Sequence, residues 1–196
     1  MTLAELRAEC RSRLSEPGTE YFTDAEWNRW LNLAQDNLVE VLRDESIPAL
    51  CVLDNRISSA GVESYALPAD WVRTRMVRLS GVTCMKATPE MIEAFSRNLN
   101  YAPSSAQPFF YEWSGRINVR PIPAVDGTAI QIWYVKRPTQ LVADADIPLF
   151  PVTLHELLVL YACSIALQKD EKYNEAGALL GLYREGVAAA NVGVKA

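Results

Sequence analysis

Apolar residues recur every third or fourth position near both ends of the chain, and closer to every second position between them. Leu3, Leu6, Cys10 and Leu14 mark a first helix. Thr2 opens it with Glu5 three residues on, the spacing at which a hydroxyl and a carboxylate each satisfy a free backbone N–H. Residues 15–18 (SEPG) break the run. The device then recurs: Thr23 is the cap, Glu26 its partner and Phe22 the staple residue before it. Trp27, Trp30, Leu31, Ala34, Leu38, Val41 and Leu42 follow on one stripe, with Asn28, Arg29, Gln35, Asp36 and Arg43 on the other face. This helix is expected to end near Ser46, Ile47 and Pro48.

From about residue 50 the period shortens. Residues 62–67 read as a short strand closed by Pro68, Ala69 and Asp70. Residues 72–79 read as a second, with a slip in its alternation: Arg73 and Arg75 share one parity and Arg78 takes the other. A bulge or an exposed edge accounts for such a slip. Ser80-Gly81 turns into residues 82–86, a hairpin. Thr88 and Pro89 start a short helix whose apolar residues are Met91, Ile92, Phe95 and Leu99. Residues 100–108 are loop by composition. Residues 109–113 and 116–120 form another hairpin about Ser114-Gly115, ended by Pro121 and Pro123. Residues 128–136 (TAIQIWYVK) are the clearest strand, with Ile130, Ile132 and Tyr134 on one face, and 138–151 is a connector rich in Pro and Asp.

Helix then returns. Thr153 and Glu156 give a third capping-box spacing, and Leu154, Leu157, Leu158, Tyr161, Ala162 and Ile165 a buried stripe. After a break at Lys169, Asp170 and Glu171, a last helix carries Tyr173, Ala176, Leu179, Leu180 and Tyr183. Residues 186–196 (GVAAANVGVKA) lack the bulk for a core of their own and read as a flexible tail. The order of elements predicts a segregated α+β fold. The terminal helices, 1–48 and 152–190, form a bundle, and 49–151 form an inserted antiparallel β-rich region.

Composition adds limits. The 196 residues are 49% apolar and 22% charged, enough to bury a real core. A formal net charge of −5 lacks the basic footprint of a general nucleic-acid binder. A mildly acidic protein can still line a path for DNA, because like charges keep the polymer from adhering. Cys10, Cys51, Cys84 and Cys163 are scattered without a CxxC pair, so they read as reduced, packed thiols and not as a metal site. No apolar run approaches the roughly 20 residues that cross a membrane, and the charged start of the chain is unlike a secretion leader.

Catalytic vocabulary is sparse. GxSxG, GxxxxGK[ST] and GxGxxG are all absent, and no cofactor is expected. The single histidine, His155, stands at a helix start without an evident partner and is expected to cap or pack; an enzyme built on it is the remote reading. Asp144 and Asp146 lie in a connector and read as solvated. Arg73, Arg75 and Arg78, beside Trp71, suit either phosphate contacts or an exposed strand that deters edge pairing or meets acidic groups of a neighbouring subunit. Aromatics cluster at Trp27 and Trp30, at 109–113, and at Trp133 and Tyr134, as they do both in cores and in interfaces. The alternative for the 109–113 hairpin is a stacking platform in a module that binds a sugar or another small molecule.

Four stretches, in order, carry a family resemblance. Residues 22–35 (FTDAEWNRWLNLAQ) hold an acidic-then-aromatic helix with Asn-x-Ala-Gln at Asn32–Gln35. Residues 65–73 (YALPADWVR) end a strand in Leu-Pro with an Asp and an aromatic. Residues 134–141 (YVKRPTQL) show a strand exit of the form Tyr-x-x-x-Pro-x-x-Leu, and 154–167 (LHELLVLYACSIAL) form a closing helix. In these the chain resembles the head-to-tail adaptor, or connector, proteins of tailed bacteriophages. The resemblance implies a helical bundle with a β-rich insertion, assembled as a ring, usually of twelve copies, at the head–tail junction of the virion after synthesis in the host cytoplasm. It implies a portal protein above, and a tail tube, nozzle or tail-completion protein below. DNA would pass through the lumen without sequence-specific binding, and no membrane is involved. The expected subunit-interface residues are Trp27, Trp30, Arg73, Arg75 and Arg78. The expected portal-docking residues, in the C-terminal segment, are Val187, Asn191, Val192, Val194 and Lys195.

Overall fold

In a computed structural model, the chain is described over residues 1–16, 21–97 and 102–192. Among these residues the α-helices are α1 (Leu3–Arg13), α2 (Asp24–Val41), α3 (Pro89–Ser96), α4 (His155–Lys169) and α5 (Tyr173–Val192). The strands are β1 (Cys51–Ile57), β2 (Ser64–Ala66), β3 (Trp71–Leu79), β4 (Val82–Thr83), β5 (Met85–Lys86), β6 (Phe109–Trp113), β7 (Arg116–Arg120) and β8 (Ala129–Lys136). The fold is α+β, with helices at both ends and the sheets between. The chain divides into two compact units, Met1–Leu50 with Arg137–Ala196, and Cys51–Lys136.

Both N-terminal capping boxes close. The backbone N–H of Glu5 donates to the Thr2 hydroxyl at 3.3 Å, and that of Thr2 donates to the Glu5 carboxylate at 2.8 Å. Thr23 and Glu26 make the same exchange at 3.3 and 3.0 Å. Phe22 meets Trp27 edge-on at 5.5 Å, which fixes how the chain turns into α2. Two positions on α2 depart from the expected faces. Gln35 is buried, its amide held by Asn32 and the Thr139 carbonyl, and Val41 is exposed.

The third capping box does not form. A 3-10 turn, Val152–Leu154, leads into α4, and Glu156 pairs with Arg13 instead. The helix needs no stripe: Leu157, Leu158, Val159, Leu160, Ala162, Cys163, Ser164, Ala166 and Leu167 are all buried. A helix apolar all round belongs at a centre, and α1, α2 and α5 each pack on α4. The tail expectation also needs correction, since residues 186–192 continue α5. Ala188, Ala189 and Ala190 are the best helix formers, and Asn191 fastens the last turn. Its Oδ1 accepts from the Arg43 N–H at 2.8 Å and its Nδ2 donates to the Val41 carbonyl at 3.1 Å. Residues 193–196 lie outside the described residues, as do 17 and 18 of the predicted breaker and Leu99 of the predicted short helix.

The connector 138–151, grouped by composition with the β-rich region, belongs to the helical unit. Asn32 holds Leu141 by both backbone groups: its Nδ2 donates to the carbonyl at 3.0 Å and its Oδ1 accepts from the N–H at 2.8 Å.

In the β unit, one sheet runs β1-β8-β3-β4 and the other β2-β7-β6-β5. Pairing is antiparallel except for β5 beside β6. The predicted 82–86 arm divides at the buried Cys84, so that β4 joins one sheet and β5 the other. Val77, Leu79, Ile130, Ile132 and Tyr134 from one sheet and Phe110, Ile117 and Val119 from the other share a core. Capped by Thr88, α3 lays Ile92 and Phe95 over Phe109.

Candidate assembly surfaces

The stretches that carry the resemblance bind one another. In the helical unit Asn32 grips Leu141, while Gln35 donates to Asn32 Oδ1 at 2.9 Å and reaches the Thr139 carbonyl at 3.4 Å. In the β unit the buried Tyr134 donates its hydroxyl to Asp70 at 3.0 Å. Burial, and then that carboxylate, push the Tyr134 phenol up to about 12. These motifs are latches between distant parts of the chain. Asp144 and Asp146 serve the same end. Their carbonyls accept from the Ala4 and Leu3 N–H groups at the start of α1. The Asp144 carboxylate pairs with the buried Arg7 guanidinium. Asp146 accepts from the N–H groups of Val142 and Ala143 at 2.8 Å each, which holds its carboxyl below the usual range.

Trp27 and Trp30 lie inside the helical unit, 0% and 7% exposed, with ring centroids 5.0 Å apart. Lys169 lies over Phe22 and Trp30 at 5.5 and 5.9 Å and pairs with Glu26. That hydrogen bond, with the capping N–H of Thr23, brings the Glu26 carboxyl down to about 2. With no exposed area, Trp27 gives a neighbour nothing to touch. His155 is buried as well. Its Nδ1 lies 2.9 Å from the Met1 amine and its Nε2 3.0 Å from the Phe150 carbonyl. The neutral tautomer with the proton on Nε2 satisfies both contacts, and burial lowers its pKa. With both nitrogens engaged by the chain itself, the ring has none left for a substrate. Among the described residues no group of three or more His, Cys, Asp or Glu is placed to hold a metal.

The arginine strand is where the sequence slip resolves. Between Trp71 and Arg73, and again between Thr74 and Met76, the register of β3 against β8 shifts. Directly paired residues share a face. Ile130, Ile132 and Tyr134 point into the core, so Gln131, Trp133 and Val135 point away from it. Arg78 pairs with Gln131, Met76 with Trp133 and Arg73 with Val135. The bulges therefore bring Arg73 and Arg78 to one outer face, with Arg75 at the second register shift between them. The Arg78 guanidinium lies 5.2 Å from the Trp133 ring centre. On the other side of β8, Leu53 pairs with Trp133 and Asn55 with Gln131. A row of large apolar side chains, Leu53–Trp133–Met76, thus crosses the face turned away from the core. Leu53 is 42% exposed and Ile57, on the same side of β1, 73%. The sequence reading missed this row. Its one local signal was Leu53 and Ile57 at matching parity in CVLDNRI.

The 109–113 hairpin is no stacking platform. Phe109 and Phe110 are core residues, Tyr111 donates to Glu63 at 2.8 Å and Glu112 pairs with Lys86. Only Trp113, 67% exposed at the tip, presents a ring. Of the tail residues, Val187 is half-buried and Asn191 is spent on the chain's own backbone. Val192 is exposed, and Val194 and Lys195 lie outside the described residues. Val187 also lines a notch of about 340 Å³ with Asn37, Val41, Tyr161, Leu180 and Tyr183. No helix among the described residues is long and apolar enough to cross a membrane.

No curated protein matches the chain significantly. A family model described as SU10 adaptor protein matches residues 1–194.

Proposed function

Since the chain belongs to the SU10 adaptor protein family, and is a structural adaptor of the bacteriophage virion, we propose that copies of it close into a ring between the portal and the tail, through which DNA passes. The observation that carries this is the match over residues 1–194, which spans the helical unit and the β unit alike. The side chains support it. His155, Asn32, Asp146 and the Tyr134–Asp70 pair are engaged in hydrogen bonds within the chain, and apolar side chains are left outside on both units. Twelve copies is the expected number. The portal-facing segment is residues 192–196, because Val187 and Asn191 already serve the helical unit. A tail tube, nozzle or tail-completion protein binds the opposite rim. The chain's net negative charge lets DNA slide without adhering.

Electron microscopy of the chain with and without its phage's portal protein tests the reading. The expected result is a closed ring on the portal with a countable symmetry. A single copy that never oligomerises, or virions that join heads to tails and keep their genome without the protein, would end it.

A further inference from the structure

An antiparallel sheet commonly packs one face on a core and gives the other to water, with polar side chains outward. The β1-β8-β3 face breaks that rule. Its core side is filled by Val77, Leu79, Ile130, Ile132 and Tyr134. Its far side still carries Leu53, Trp133 and Met76 in one row, with Ile57 almost bare beyond it. Leu53 and Ile57 are exposed, Trp133 and Met76 beside them are half-buried and Val135 at one end is enclosed, so the open part of the face is its Leu53–Ile57 side; apolar surface left open in this way marks a contact site. Arg73 and Arg78 frame it.

Charge indicates the occupant. The β unit holds nine Lys and Arg against seven Asp and Glu, whereas the helical unit holds ten against seventeen. Two β faces would oppose like charges, but a β face against a helical unit opposes unlike ones. The helical unit has an apolar receiver. The notch between α2 and α5 opens beside the exposed Val41, and exposed Glu40 and Glu185 stand near its residues in the chain; Arg184 is the one basic residue in its lining. From strand rise and spacing, three seven-residue strands cover an area on the order of 300 Å². That is well under the roughly 800 Å² per partner of a standard interface, so the face is one part of a larger contact.

We infer that the outer face of the β1-β8-β3 sheet of each chain docks on the α2–α5 side of the helical unit of a second copy. This rests on the ring reading and names the contact that closes the ring. A contact between two different surfaces of one chain is heterologous and propagates until rotation closes it.

The test uses two full-length variants with opposite faces spoiled. Leu53→Glu with Ile57→Glu blocks the sheet face, and Glu40→Arg with Glu185→Arg blocks the helical face. All four residues are exposed, so thermal melts should match wild type. Mass photometry and electron microscopy, with the portal present, count the copies. Wild type should give rings, each variant should reduce them by more than about tenfold, and mixing the variants should give dimers that grow no further. Normal rings from Leu53→Glu with Ile57→Glu overturn this inference and leave the ring reading intact. So do two blocked variants that fail to dimerise when mixed, and normal rings that lose only genome retention, which would assign the face to DNA. Wild type that forms no ring with portal removes both readings together.

Discussion

Trp27 and Trp113 are the same residue in two different situations. In the helical unit, Trp27 is wholly enclosed among Phe22, Trp30 and the surrounding helices. In the β unit, Trp113 stands out at the tip of a two-residue turn. The contrast extends to the units themselves. The helical unit packs its core around α4 and carries an acidic excess, yet it still leaves Leu33, Val142, Ile147, Val152 and Leu182 exposed. The β unit has a small basic excess and a second apolar row turned away from its core. Both units leave apolar side chains exposed; the difference is that strand register in the β unit lines Leu53 and Ile57 up with Trp133 and Met76 on one sheet face.

The sharpest way to break that comparison is to truncate both tryptophans. Trp27→Ala should cost about 3–5 kcal/mol of the helical unit's stability, the usual range for deleting a large aromatic from a packed core. Trp113→Ala should cost less than about 0.5 kcal/mol, as exposed substitutions do. Urea unfolding followed by circular dichroism measures both. A Trp113→Ala loss as large as that of Trp27→Ala would erase the distinction.

Next in size is the latch. Asn32→Ala strands the Leu141 N–H and carbonyl together. Leaving such groups unpaired costs about 1–3 kcal/mol, and the loss should fall on the helical unit alone. Hydrogen exchange at the Leu141 amide should speed up, while β8 amides such as Ile132 stay protected. Equal acceleration in both units would mean that the connector does not belong where its hydrogen bonds put it.

A smaller effect separates the inner and outer sides of α5. A Cβ on Gly186 would lie 2.4 Å from the buried Leu157 Cδ2, whereas Gly177 and Gly181 face open space. Gly177→Ala and Gly181→Ala should each stabilise by up to about 1 kcal/mol through helix propensity. Gly186→Ala should lose that gain and more, because overpacking costs about 1–3 kcal/mol. Thermal melts of the three variants decide it. A stabilising Gly186→Ala would show that Leu157 has room to move.

Helix starts were legible in the sequence where the cause was local: Thr2 with Glu5, and Thr23 with Glu26, need only their own turn. Thr153 with Glu156 has the same spacing and fails, because Arg13, 143 residues away in sequence, claims Glu156. The all-round burial of α4 was not legible, since a stripe reports one neighbour and α4 has three. The end of α5 was misread because a run of alanines lacks bulk, although it has the strongest helix propensity. For the candidate site, the parity slip of Arg73, Arg75 and Arg78 showed that β3 is irregular. It could not show the Leu53–Trp133–Met76 row. That row comes from three strands far apart in sequence, and only their register makes them neighbours.

The smallest effect is a slope, and it sets the two units against each other by pH. The chain has one histidine, and it lies in the helical unit. Burial holds the His155 pKa below its ordinary value, with the Phe150 carbonyl opposing the shift and the Met1 amine adding to it. In the unfolded chain the imidazole takes up a proton near about pH 6.5. As the pH falls through that value, the unfolded state binds a proton that the folded state refuses. The stability of the helical unit therefore falls with acid until the folded-state pKa is also passed. His155→Gln keeps a donor for Phe150 and cannot titrate. Between about pH 7 and 5, wild type should lose stability and the variant should lose less, with the β unit serving as a control that has no histidine. An identical slope in wild type and His155→Gln would place the acid sensitivity in the carboxylates. The buried imidazole would then be only a packed ring between the start of the chain and the start of α4.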